Sequence, residues 1–248
     1  MKIVRVSKFA IYLNTLKKRI YRCSRVSRQD NLHSFLDDFD NLCKENNIVV
    51  IKRYIKFITD SIQAEFNINC SYNDKTTSII DNVYHSFILS ENIDNNRTCK
   101  YVVDVKDTPI IACIWNDGRM INNIHKIGHI NNNPFDGEKN CGNIIATIFK
   151  PLGLVIVVNG NHSTNAAIIH REGKLIINHE FKMSSLLQEV YFDGKYYINK
   201  VTKKKVTDKN LLDNSKPYTY SIGVLFEMAK VLEKYHLDLS TYTKSLWD

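Results

Sequence analysis

One stretch decides both the fold and the candidate site: residues 153–169 read GLVIVVNGNHSTNAAII. Residues 154–158 form an uninterrupted apolar run, which is typical of a strand that is covered on both faces. Gly160 allows a sharp turn, and the small residues after it lack the alternation of a strand. We therefore predict a buried strand, a glycine turn and a short helix that is capped by Asn161 or Ser163.

The start of this predicted helix is the candidate site. A helix N-terminus has unpaired backbone N–H groups and a partial positive charge, which together suit a phosphate or another anion. His162 is the candidate catalytic residue, because a histidine can donate to a phosphate or transfer a proton. We expect the helix to end at Gly173. The predicted phosphate-binding residues are Asn159, Gly160, Asn161, Ser163, Thr164 and Asn165.

A different fold of the same stretch remains open. Asn-Gly is a strong signal for a type I′ hairpin, so Asn159 and Gly160 could instead connect two strands. Residues 166–169 would then form the returning strand. In that case the anion-binding helix start would not exist.

The rest of the chain predicts an α+β fold in three regions. Residues 1–95 are predicted as a helical N-terminal region, because apolar side chains recur every three or four residues over 6–20, 32–42, 51–66 and 80–88. Residues 96–212 are predicted as a small mixed-sheet core, with strands at 101–105, 109–114, 143–149, 152–158 and 174–178 and a hairpin at 190–198 around Asp193-Gly194. Residues 213–248 predict a C-terminal helix from Pro217 that packs on the core.

The positive charge is concentrated near the N-terminus. Nine basic residues precede the first acidic residue, Asp30, whereas the remaining 25 basic and 26 acidic residues nearly balance. A concentrated basic patch attracts nucleic acid or an acidic partner. The predicted nucleic-acid-binding residues are Lys17, Lys18, Arg19 and Arg22.

Membrane and secreted classes are not indicated. No apolar run approaches the roughly 18 residues of a membrane span, and no secretory signal is evident. Six widely spaced cysteines without a CxxC pair fit reduced thiols. We therefore expect a cytoplasmic protein with no membrane partner.

Gly160-Asn161-His162, between a buried strand and a helix, resembles the Gly-x-His-Arg signature of ParB/sulfiredoxin-like domains. This resemblance implies a small α/β core in which the turn holds nucleotide phosphates, and it is also the only basis for a role in bacterial defence. Ser163 stands where those domains have arginine, so Arg119, Lys150 or Arg171 would have to replace it. The Asn-Gly-Asn-His-Ser sequence is also similar to that of a poorly characterised bacterial family.

Three weaker candidates lie elsewhere in the core region. Asp104-Val105-Lys106 is similar to half of a restriction-type nuclease site, for which Asp94 would be the second carboxylate. His125 and His129 have the spacing of zinc ligands on one helix face, with Cys141 beyond them. The segment Asp136–Lys139 is a turn by composition whose carboxylates would suit Mg²⁺. We predict no metal site from these patterns.

The function predicted from the sequence is recognition of a phosphate of a nucleotide or nucleic-acid backbone at residues 159–165. Phosphoryl transfer or phosphodiester cleavage is the reaction class that fits such a site, with Mg²⁺ arriving with the nucleotide. The alternative is a non-catalytic module that binds nucleic acid or a protein through the basic N-terminal helix. Salt dependence and the effect of changing His162 distinguish the two.

Overall fold

The computed structural model describes residues 28–72, 96–139, 141–206, 217–242 and 244–245. Within these ranges the chain has an α+β fold, as predicted. The helices are α1 (Arg28–Lys44), α2 (Ile48–Tyr72), α3 (Asp117–Lys126), α4 (Asn161–His170), α5 (Ser184–Glu189) and α6 (Pro217–Lys234). The strands are β1 (Asn96–Asp104), β2 (Ile110–Ala112), β3 (Ile145–Lys150), β4 (Leu154–Asn159), β5 (Lys174–Lys182), β6 (Val190–Phe192), β7 (Tyr197–Asn199) and β8 (Lys244–Ser245). The predicted helices over 6–20 and 80–88 lie outside the described residues.

A six-stranded mixed sheet organises the core. Its strands follow the order β2–β4–β3–β5–β1–β8. β2 and β4 are parallel neighbours, as are β3 and β5, whereas the other neighbours are antiparallel. β6 and β7 form a separate antiparallel hairpin around Asp193 and Gly194, which confirms the prediction from the Asp-Gly pair.

The sheet is covered on both faces. Leu154 and Ile156 of β4 belong to a buried cluster that also contains side chains of α1, α2, α5 and α6. Val155 and Val157, which point to the opposite face, pack in a second cluster with Ala167 of α4. The apolar run of β4 therefore meets side chains on both sides, as its composition predicted. The N-terminal helices and the C-terminal helix share one core with the sheet.

Three elements differ from the sequence prediction. α3 forms in a polar segment for which no helix was predicted, because the Oδ1 atom of Asn116 accepts the N–H of Arg119 at 2.7 Å and so caps a helix. β5 extends to Lys182, four residues beyond its predicted end, since it pairs with both β1 and β3. α4 ends at His170, before Gly173, because Arg171 adopts the left-handed conformation at φ 55°.

No helix in the described part of the chain is both long and apolar enough to cross a membrane.

Candidate functional site

The first turn of α4 has no side-chain cap. Gly160 occupies the N-cap position in the left-handed conformation, at φ 81° and ψ 19°. Its carbonyl accepts the first helical hydrogen bond, from the N–H of Thr164 at 3.0 Å. The N–H groups of Asn161, His162 and Ser163 precede that bond, so the helix supplies them no acceptor. No other described residue accepts from these three backbone donors, so they are available for an anion.

This geometry excludes the alternative hairpin and corrects the predicted helix cap. Residues 166–169 belong to α4, so Asn159 and Gly160 do not close a hairpin. Asn161 and Ser163 are not the cap but lie in the first turn, where the Ser163 hydroxyl donates to the carbonyl of Gly160 at 3.0 Å. The uncapped start of α4 leaves more of the helix amides unpaired than the sequence suggested.

The sheet order brings a second segment to the start of α4. β2 and β4 are parallel neighbours, so their carboxyl ends lie at the same edge of the sheet. The chain leaves β2 toward Trp115 and α3, and it leaves β4 toward Gly160 and α4. Residues that lie more than 40 positions apart in the sequence therefore face one another.

A cavity of about 390 Å³ lies between these two segments. We call it the α3–α4 cavity. Among the described residues that line it, Arg119 is the only charged one, and none carries a carboxylate. Side-chain amides and backbone supply most of the remaining polar surface. The lining residues are Trp115, Arg119, Asn122, Asn123, Asn159, Gly160, Asn161, His162 and Ser163.

His162 is buried in the wall of the cavity, with 6% of its surface exposed. Its Nε2 atom accepts the backbone N–H of Asn116 at 3.3 Å. The indole of Trp115, 41% exposed, lies edge-on to the imidazole at a centroid distance of 4.4 Å. Burial lowers the pKa of His162 below its ordinary value of 6.5, and the nearby positive charge of Arg119 lowers it further. The ring is therefore neutral at pH 7.

The tautomer of His162 follows from these contacts. An acceptor nitrogen carries no hydrogen, so the hydrogen of the neutral ring lies on Nδ1. In this state His162 offers one N–H donor and has no unoccupied ring lone pair. The arrangement suits hydrogen-bond donation to an anion better than removal of a proton from a substrate.

The remaining predicted phosphate-binding residues divide into two groups. Asn161 lines the cavity and is 1% exposed; its Nδ2 donates to the carbonyl of Val158 at 3.2 Å, while its Oδ1 has no partner among the described residues. Thr164 and Asn165 are fully buried and do not line the cavity. These two side chains face the interior of the protein, because α4 turns them away from the cavity.

Gln63 is a buried residue that sequence reasoning missed. Its Nε2 donates to the carbonyl of Ala112 at 2.9 Å and to Oδ1 of Asn165 at 2.8 Å, and its Oε1 accepts the N–H of Ala112 at 2.8 Å. These bonds join α2 to the edge strand β2 and to α4. The signal was a glutamine between Ile62 and Phe66 on the apolar face of α2.

Of the three residues suggested to replace the missing arginine, Arg119 is the one that lines the cavity. Lys150 instead pairs with Glu180 at 2.9 Å. Arg171 lies at the opposite end of α4, where it follows the last helical residue. A guanidinium is therefore present at the start of α4, but it comes from α3.

The weaker candidates take local structural roles in the described residues. Oδ1 of Asp104 accepts the N–H of Lys106 at 2.9 Å in the turn after β1, and Asp94 lies outside the described ranges. Oδ1 of Asp136 accepts the N–H groups of Glu138 and Lys139, both at 3.0 Å, in a turn beside a neighbouring cavity that also contacts Ser163.

His125 and His129, whose spacing matches zinc ligands on one helix face, do not lie on one helix. α3 ends at Lys126, and His129 begins a separate 3-10 turn, so the two side chains do not share a helix face. Across the described ranges, no group of three or more histidine, cysteine, aspartate or glutamate side chains could hold a metal ion. Lys17, Lys18, Arg19 and Arg22 lie outside these ranges, so their predicted role stays a prediction.

The fold and the site define an α+β protein with an uncapped helix start beside a guanidinium. Residues 17–238 match the family model described as a family of unknown function, DUF6710. Because the matched residues make up most of the chain, the chain belongs to this family. Comparisons with curated proteins and with solved structures each gave no match.

Proposed function

We propose that the α3–α4 cavity binds a phosphate group of a nucleotide or of a nucleic-acid backbone. The observation that carries the proposal is the uncapped first turn of α4, whose three free amides border the cavity that Arg119, the one charged residue of its described lining, also contacts. Helix amides and a guanidinium are the donors that bind phosphate oxygens most strongly. The resemblance of Gly160-Asn161-His162 to ParB/sulfiredoxin-like domains supports the same ligand class.

His162 contributes a hydrogen-bond donor in this proposal. Its Nε2 is occupied by the N–H of Asn116, so the Nδ1 hydrogen is the group available to a ligand. Phosphoryl transfer or phosphodiester cleavage would require this contact to break before His162 could accept a proton. The geometry therefore favours binding over catalysis. Mg²⁺, where it takes part, would arrive with the nucleotide, because the described part of the cavity lining contains no carboxylate to hold it.

We expect Arg119→Gln to weaken binding of ATP by about 10- to 100-fold. The substitution removes a charge-assisted hydrogen bond, which contributes about 1.5–3 kcal/mol. Isothermal titration calorimetry with ATP, with and without Mg²⁺, measures the change. Lys126→Gln is the matched control, since Lys126 is an exposed cation on the same helix that does not line the cavity.

Two further variants sharpen this experiment. His162→Ala should also weaken ATP binding, because it removes the ring donor. Trp115→Leu should weaken binding of ATP but not of inorganic phosphate if the indole contacts the base. Absence of ATP and phosphate binding by the unmodified protein, or equal affinities for Arg119→Gln and Lys126→Gln, would contradict the proposal.

The protonation of His162 predicts a pH dependence of stability. Because the folded pKa is lower than the unfolded one, the unfolded chain binds more protons below pH 6.5. The free energy of unfolding should therefore fall as the pH drops from 6.5 toward the pKa of His162 in the folded state. Above pH 6.5 the contribution of His162 to the free energy of unfolding should be constant. Urea denaturation between pH 5 and pH 8 measures the slope. His162→Gln should reduce it, whereas the exposed control His125→Gln should not.

The alternative function is a binding module that uses the basic N-terminal segment. The observation that favours it is the presence of nine basic residues, and no acidic residue, before Asp30. Joint neutralisation of Lys17, Lys18 and Arg19 would then reduce nucleic-acid affinity steeply at low salt, while His162→Ala would leave that affinity unchanged. The opposite result supports the α3–α4 cavity.

A further inference from the structure

A second and larger concavity lies at the other end of α4. It has a volume of about 740 Å³ and lies between α2, the turn after β1 and the segment that ends α4. We call it the α2 groove. Its lining does not overlap with that of the α3–α4 cavity. The two sites are thus separate surfaces that share one helix.

Five basic and two acidic residues line the α2 groove within the part of the chain that the structure describes. Lys56 is neutralised by Asp60, whose carboxylate lies 2.8 Å from the ammonium group. Lys52 is half-buried and is attracted by Asp107, although burial lowers its pKa. The negative charges of Asp60 and Asp107 are therefore balanced by Lys56 and Lys52, and the other basic residues give the groove a net positive charge.

The remaining cations are Arg53, Lys106 and Arg171. Each is exposed, and none forms an ion pair with another described residue. They come from three different elements: α2, the turn after β1, and the residue that follows α4. On the solvated face of a single helix, basic side chains point outward into water. Here three cations without ion-pair partners among the described residues come from separate elements and line the same groove. Together they create a positive potential inside a concave surface.

The chemistry of the groove selects among anions. Among its described lining residues there is no aromatic side chain, so these residues offer no stacking platform for a base. Val49, Ile168 and Ile169 supply apolar surface between the charges. Several separated cations match a chain of regularly spaced negative charges better than one compact anion. A concave groove also admits one strand more readily than a duplex.

We propose that the α2 groove binds the sugar–phosphate backbone of single-stranded nucleic acid, without preference for base sequence. Arg53, Lys106 and Arg171 each contact a phosphate. This site is additional to the α3–α4 cavity and does not depend on phosphate binding there.

The test measures binding of a fluorescein-labelled, mixed-sequence 20-nucleotide DNA strand to the full chain by fluorescence anisotropy. The variant combines Arg53→Gln, Lys106→Gln and Arg171→Gln. Each phosphate contact to a single strand contributes about 0.7 to the slope of log affinity against log salt. Loss of three contacts should therefore reduce the steepness of that slope by about 2. At 0.1 M salt the variant should bind roughly 100-fold more weakly, and near 1 M salt the difference should vanish.

A charge-matched control separates this site from net charge. Lys44→Gln, Lys139→Gln and Lys182→Gln together remove the same charge from exposed lysines that do not line the groove. This control should bind the strand nearly as well as the unmodified protein. Circular dichroism and the melting temperature should be similar for both triple variants, because all six side chains are exposed.

Three results would overturn the proposal: no strand binding by the unmodified protein, equal weakening in both triple variants, or competition by poly-glutamate as effective as that by unlabelled strand. The Arg119→Gln variant distinguishes the two sites. If it loses ATP affinity while the groove variant keeps it, the α3–α4 cavity acts independently. If ATP does not bind at all, the strand-binding measurement still tests the proposal for the α2 groove.

Discussion

Gln63→Leu should lower the free energy of unfolding by about 3 to 5 kcal/mol, because the substitution leaves three buried polar groups unpaired. These are the N–H and the carbonyl of Ala112 and the Oδ1 of Asn165. Gln63 is only 2% exposed, so these groups lie largely out of contact with water. Leucine has nearly the volume of glutamine, and the cost therefore reflects lost hydrogen bonds more than an empty space. Urea denaturation followed by circular dichroism measures the change.

Gln188→Leu provides the matched control for this prediction. Gln188 lies on α5 and is exposed, so its replacement should change the free energy of unfolding by less than about 0.5 kcal/mol. A similar small effect of Gln63→Leu would mean that the link between α2, β2 and α4 contributes little. A large effect would establish that one side chain secures the edge strand on which the candidate site depends.

Gly160→Ala should destabilise the protein by about 2 to 4 kcal/mol and also weaken ATP binding. The left-handed conformation costs a residue with a Cβ about 1–2 kcal/mol. The added Cβ would also lie 2.9 Å from Cγ1 of Ile144 and 3.1 Å from the carbonyl oxygen of Asn143. Crowding of this kind typically costs about 1–3 kcal/mol. Relief of the crowding would move the first turn of α4 and misplace its free amides.

Gly142→Ala is the control, because a Cβ at Gly142 meets no atom within 4 Å and its φ is not positive. This variant should keep both its stability and its ATP affinity. Equal denaturation midpoints for the two alanine variants would show that the turn at Gly160 tolerates a side chain. Loss of stability without any loss of ATP binding would show that ATP binding does not depend on the conformation of the turn at Gly160.

Much of the framework could be predicted because its signals are local. The apolar spacing in α1 and α2, the position of Pro217 in α6 and the Asp-Gly pair of the β6–β7 hairpin each depend on residues close in sequence. α3 shows where local reasoning failed. Its polar composition led to no prediction of a helix, although the cap at Asn116 and the apolar pair Met120 and Ile124, one helical turn apart, were a usable signal.

The residues of the candidate site could be predicted only in part. The sequence indicated the start of α4 as the place of interest, and it named Asn159 to Ser163 among the groups there. It could not select Arg119 over Lys150 and Arg171, because that choice depends on which strands are neighbours. It also placed Thr164 and Asn165 at the site, since the sequence does not show which side of a helix faces a cavity.

By itself, the sequence determined that a buried strand, a glycine turn and a helix follow one another over residues 153–170. Apolar continuity, the freedom of Gly160 and the loss of alternation after it act within one short segment. Only the tertiary structure decided what surrounds that helix start. Parallel pairing of β2 with β4 places Trp115 and Arg119 beside it, and the burial of His162 against Asn116 fixes which nitrogen carries a hydrogen. Both outcomes depend on contacts between residues far apart in the chain, which no local pattern encodes.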